Sequence, residues 1–128
     1  MKLLLDTNIW LWGMWEPHRI GPHTLRELRD RANEIWLSPI STWEALLLHS
    51  KGRIHLKLNL ADWIAESTEG TREAPLTHEI ALAASHLAMH RDPADRLIAA
   101  TAQVLDMTLV TADEKLLGLG NIKTLANR

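Results

Sequence analysis

Residues 2–10 read KLLLDTNIW. Three leucines in a row predict a short buried strand. Asp6 stops that run, and NIWLWGMWE at 8–16 predicts a helix with Asn8 as its N-cap. A buried strand that ends on a carboxylate and turns at once into a helix is the opening of a β–α unit. The rest of the chain is read from that starting point.

The same alternation continues. Pro17 to Pro22 is a loop, and 24–34 (TLRELRDRANE) is an amphipathic helix capped by Thr24 with Leu25 and Leu28 inward. IWLS at 35–38 is a second strand, closed by Pro39. Ser41 and Glu44 fit the S-x-x-E capping box of the next helix, and Gly52 is a suitable residue just past its end. A short helix at 60–67, a minor strand at 74–76 and a helix at 78–90 follow. Pro93 opens another helix to about Leu105. MTLVT at 107–111 is the third strong strand, then comes a short helix after Asp113 and a last strand at 122–125. Strands alternating with helices imply a three-layer α/β/α domain around a parallel sheet of four to five strands. Residues 1–128 are expected to form that single domain, since no linker, repeat or low-complexity segment interrupts them.

The acids then fall into a pattern. Asp6 ends the first strand, Glu44 lies in the first turn after the second, and Asp113 lies two residues past the third. Asp95 begins the helix that feeds the third strand. That helix runs antiparallel to its strand, so all four acids belong at the C-terminal edge of the sheet, where open α/β sheets bind ligands. Carboxylates crowded together repel one another. A divalent cation offsets this, and an oxygen-only donor set selects a hard ion, Mg²⁺ or Mn²⁺. Two such ions can activate water and stabilise the leaving oxygen in attack on a phosphodiester. Each acid alone has a plain structural reading as a first-turn or capping residue. Their convergence carries the argument.

Composition bounds the alternatives. The 128 residues contain no cysteine, which excludes disulfides, thiolate catalysis and zinc–sulfur sites and suggests a reducing, cytoplasmic setting. Asp6 breaks the leucine run too early for a signal peptide, and no stretch is apolar enough to span a membrane. The net charge of −2 becomes +2 once the four acids are set aside, so charge neither requires nor forbids RNA. Phe and Tyr are absent while Trp occurs six times, so any aromatic stacking on bases must come from Trp.

Four segments, LLLDTNIW (3–10), WEALLLHSKGRI (43–54), HRDPADRLIAATA (90–102) and MTLVTADEKL (107–116), resemble the PIN-domain ribonucleases, and among them the VapC-type toxins of toxin–antitoxin modules. The resemblance runs over nearly the whole chain in the right order. It implies a Mg²⁺- or Mn²⁺-dependent endoribonuclease with Asp6, Glu44, Asp95 and Asp113 as metal-binding catalytic acids. It also implies an RNA substrate, a homodimer and a cognate antitoxin. Thr111 matches the hydroxyl of the family's T-x-D motif and Asn8 its polar residue after the first Asp. Asp92 is read as fixing the loop or supporting the ligands. Arg96 meets a phosphate or pairs with a neighbouring acid.

Other features are weighed against this. The basic run 49–57 suits RNA phosphates, a solvated loop or a dimer contact, with the solvated loop favoured. Of Trp10, Trp12 and Trp15, one or two should enter the core, and Trp43 is expected there. His86 and His90 stand four apart but lack the HExxH pattern of a zinc site. A haloacid-dehalogenase-like phosphatase would need a second acid where Asn8 stands. An inactive PIN-like binding module and a housekeeping RNA-processing nuclease remain the alternatives.

Overall fold

In the computed structural model, described over residues 1–57, 59–87 and 92–128, five strands form one sheet. They are β1 (Lys2–Leu5), β2 (Glu34–Leu37), β3 (Arg72–Glu73), β4 (Thr108–Thr111) and β5 (Lys123–Ala126), in the order β3-β2-β1-β4-β5. Every pairing is parallel, with Leu4 opposite both Trp36 and Leu109. The helices are α1 (Thr7–Trp15), α2 (Pro22–Arg29), α3 (Pro39–Ser50), α4 (Leu60–Ser67), α5 (His78–His86), α6 (Pro93–Val104) and α7 (Glu114–Leu117), with a 3₁₀ turn at Pro17–Arg19.

The side-chain period of a strand divides the core in two. Leu4 and Leu109 point to one face, where Ile80, Ile98 and Leu116 from α5, α6 and α7 cover them. Leu3, Leu5 and Val110 point to the other, under Ile9, Trp10, Ala45 and Trp63 from α1, α3 and α4. β1 and β4 are buried on both faces, which explains why their sequences are continuously apolar. Among the described residues no helix is long and apolar enough to cross a membrane.

Several helix starts differ from the sequence expectation, each for a local reason. Asp6, not Asn8, caps α1: its Oδ1 accepts the Thr7 N–H at 2.8 Å. Pro22 sits at the first position of α2, preceded by Gly21, which leaves Thr24 inside the helix and buried. Pro39 likewise begins α3, so the cap is Ser38, whose Oγ accepts the Ile40 N–H at 3.1 Å. Ser41 and Glu44 are therefore interior residues and form no capping box. β3 pairs at Arg72–Glu73, earlier than expected. α5 ends at His86 because Leu87 turns extended; His90 lies outside the described residues. Gly52 does follow the end of α3, in the left-handed region at φ +72°. Leu25 and Leu28 are half-buried.

Trp10 is buried, Trp12 is half-buried beneath the Arg19 guanidinium at 4.0 Å, and Trp15 is exposed and stacked on Trp63. Trp43 is not in the core. It is 54% exposed, because α3 turns its Ala45 side to the sheet and Trp43 away from it.

Candidate active site

The ladder between β1 and β4 continues one residue past β1: the Asp6 N–H donates to the Val110 carbonyl at 2.9 Å. That bond fixes Asp6 at the sheet's C-terminal edge. Its second carboxylate oxygen accepts the Thr111 hydroxyl at 2.6 Å. The same hydroxyl oxygen accepts the Asp113 N–H at 3.0 Å, so Thr111 locks two of the predicted acids to one another. Asp113 in turn caps α7 through the Lys115 N–H, and Asp92 caps α6 through the Ala94 N–H. Asp95 lies in the first turn of α6, as expected.

Glu44 reaches the same place from the second turn of α3. Its Oε1 accepts the Thr7 hydroxyl at 2.5 Å. Thr7 Oγ1 also lies 2.8 Å from the Ser41 hydroxyl, and all of this is partly or fully buried. A hydroxyl carries one proton. If Thr7 gives its proton to Glu44, Ser41 must give its own to Thr7. Ser41, Thr7 and Glu44 thus form a directed chain that ends on a carboxylate. Sequence reasoning missed Thr7 and assigned Ser41 to a cap. No local pattern reveals the pair, since Ser41 is 34 residues away from Thr7.

Asp6, Glu44, Asp95, Asp113, Asp92 and Asn8 all line one cleft of about 930 Å³. Thr111 lies behind it, buried. Lys51 and Arg53, from the basic run, line it too. Arg96 does not: its guanidinium turns toward α5 and donates to the Ala84 carbonyl at 3.0 Å. Its Nε is buried with no hydrogen-bond partner among the described residues, and neither expected role for Arg96 is seen there.

The acids disturb one another's protonation. Burial raises Asp6 above its usual 3.8, against the lowering effect of the Thr111 hydroxyl and Thr7 N–H, and the charges of Asp113 and Asp92 raise it further. Burial raises Glu44 as well; its bond from Thr7 opposes this, while Asp92 and Asp6 add to it. Asp95 is pushed up to about 7, by burial first and then by Asp6, Asp92, Glu44 and Asp113. Raised values at several acids in one cleft mark a site that favours protons or a cation.

The donors are carboxylate oxygens, which suit a hard divalent ion. Among the described residues no three His, Asp or Glu side chains are gathered closely enough to hold an ion by themselves. Mg²⁺ does not require this, because it is commonly held by one or two carboxylates and keeps several waters. The donor set and the space beside it therefore fit such an ion.

Comparison with known proteins agrees with this architecture. The PIN domain family model matches residues 3–121. Ribonuclease VapC22 of Mycobacterium tuberculosis (strain ATCC 25618 / H37Rv) is 33% identical over 116 residues, covering 89% of this chain and 88% of that protein. The crystal structure of VapBC2 from Rickettsia felis bound to a DNA fragment from their promoter is similar with a TM-score of 0.74. Its sequence identity is 20% and the match covers 98% of each chain. A toxin–antitoxin complex from Klebsiella pneumoniae is similar at 0.70, with 19% identity and 98% of each chain covered. With a buried β1 ending on Asp6, a parallel five-stranded sheet and four acids at its C-terminal edge, the chain belongs to the PIN-domain family.

Proposed function

We propose that the chain is a divalent-metal-dependent endoribonuclease, the toxin of a toxin–antitoxin pair. One observation carries the reading: acids from four separate segments line one cleft and raise one another's proton affinity, and Lys51 and Arg53 stand beside them. The relative VapC22 is named a ribonuclease, which supports RNA as the substrate. The similar VapBC and toxin–antitoxin structures support a cognate antitoxin. A homodimer and Mg²⁺ or Mn²⁺ as the ion belong to the same proposal.

Asp6, Glu44, Asp95 and Asp113 would hold the ion or its waters. An ion held there would supply an activated water and charge stabilisation at the leaving oxygen. The remaining work falls to the chain's own groups. Thr111 fixes the orientation of Asp6 and sets Asp113 beside it. Thr7 fixes Glu44 by donating its hydroxyl to the carboxylate, while its own oxygen accepts the Ser41 hydroxyl. Asn8 stands on the rim, within reach of substrate, and Asp92 holds the start of α6, and so Asp95, in place. Lys51 and Arg53 attract RNA phosphates without regard to sequence.

The test is incubation of the purified chain with tRNA and messenger RNA, in Mg²⁺, in Mn²⁺ and in EDTA, beside the Asp6→Asn variant. Cleavage that needs the ion and falls at least about a hundredfold in the variant is expected. Equal cleavage by parent and variant, or cleavage in EDTA, would remove the proposed site. An inactive binding module predicts no cleavage under any condition. A housekeeping nuclease predicts the same chemistry with no adjacent antitoxin gene.

A further inference from the structure

Five of the six tryptophans are engaged by other groups. Trp10 and Trp15 pack on Trp63, Trp12 lies beneath Arg19, and Trp36 bonds to Glu34 and lies near Lys2 and Arg72. Trp43 is the exception. Among the described residues its indole makes no ring contact, no cation–π contact and no hydrogen bond, and 54% of the residue is exposed. Its location is specific. It precedes Glu44 on α3 and forms the ridge between the acid cleft and a second hollow of about 260 Å³. Trp43 and Leu47 of α3 and Lys51 at its C-terminal end recur at every fourth residue and line the cleft as one stripe. A large aromatic face thus shares one cleft with the carboxylates and the two cations, in a chain with no Phe or Tyr to do the same task.

We propose that Trp43 is a positioning residue: a base next to the cut phosphate stacks on its indole and sets the register of the RNA strand over the acids. Every base has a π-face, and a tryptophan beside a basic run is how single strands are gripped without reading sequence. Lys51 and Arg53 hold the phosphates that flank that base. The cations favour a polyanion as occupant of this wall over an apolar peptide. This inference rests on the ribonuclease reading.

The test uses a synthetic oligoribonucleotide spanning a cleavage site mapped on cellular RNA. A matched series carries an abasic ribose at each position around the cut. For the parent, one abasic position should lower kcat/KM about tenfold. Trp43→Ala should lose about tenfold on intact RNA, lose nothing more at that position, and melt like the parent; Trp43→Phe should recover most of the rate. Two results overturn the proposal: Trp43→Ala cleaving intact RNA like the parent, or losing rate while keeping the parent's whole abasic profile. Trp43→Ala that cleaves normally but no longer binds a co-expressed antitoxin assigns the surface to protein and also overturns it. A parent that cleaves no RNA at all overturns the ribonuclease reading itself.

Discussion

Removing the charge of Asp95 should make the ion-free protein more stable. A carboxyl moved from 3.8 to about 7 costs the ionised folded state about 4 kcal/mol if nothing relaxes. Solvent reaches this half-buried group, and screening leaves about 2 kcal/mol. The folded value lies above the unfolded one. Folding therefore takes up a proton across this range, and stability falls as the pH rises from about 4 to about 7. Asp95→Asn keeps the shape and removes the titration. The variant gives up a few tenths of a kcal/mol through the lost first-turn charge. In EDTA at about pH 8 it should melt about 5–10 °C above the parent. At about pH 5 less than half of that gap should remain. Mg²⁺ should raise the parent's melting temperature more than the variant's. The assay is thermal unfolding followed by circular dichroism at both pH values. A variant that melts at or below the parent in EDTA at the higher pH would refute the claim that burial and the neighbouring carboxylates together disfavour the Asp95 charge.

Three further outcomes follow from the geometry. Thr7→Val takes the proton donor from Glu44 and strands the buried Ser41 hydroxyl. It should cost about 1–3 kcal/mol in denaturant unfolding and at least about tenfold in RNA cleavage. Gly21→Ala puts a methyl group 1.8 Å from the Arg128 carbonyl carbon, where the Thr24 N–H donates to the Arg128 carbonyl and the Arg128 N–H donates to the Thr24 hydroxyl. It should cost about 1–3 kcal/mol, with cleavage per folded molecule unchanged. Thr111→Val releases Asp6 and the Asp113 N–H together, and should lower cleavage about as much as Thr7→Val while leaving β4 in place, as read by circular dichroism.

The sheet was legible because its strands carry strong local signals. KLLL and MTLVT are apolar on both sides and end in polar residues. The positions of Asp6 and Asp113 followed directly from that. Helix starts were harder to read where several capping types stand together. Residues 6–8 offer Asp, Thr and Asn in a row, and a single backbone bond to Val110 decides for Asp6. At 38–41, Pro39 decides for Ser38 by supplying the φ angle of a first helical turn. Glu44 was singled out by its place in the helix after β2, but it was read one turn too early and given a capping box as its structural alternative, because Pro39 starts α3 ahead of Ser41. It lies in the cleft because the second turn of α3 faces Thr7. Thr7 itself was invisible, since its partners lie 34 and 37 residues away. Trp43 was misplaced because TWEALLL is apolar around much of the helix, so periodicity does not show which side turns outward.

Three of the acids in the cleft, Asp6, Asp92 and Asp113, also cap α1, α6 and α7. Asparagine caps a helix about as well as aspartate. Under the proposed function, an aspartate codon is one base change away from a protein that folds, keeps its surfaces and no longer cuts RNA. Alanine at the same positions would remove charge and cap together and would weaken the fold as well. Cells selected to survive such a nuclease should therefore yield full-length, soluble Asp→Asn escape mutants at Asp6 and Asp113 more readily than alanine or truncated ones. The double use of these side chains makes silence easy to reach by mutation without unfolding.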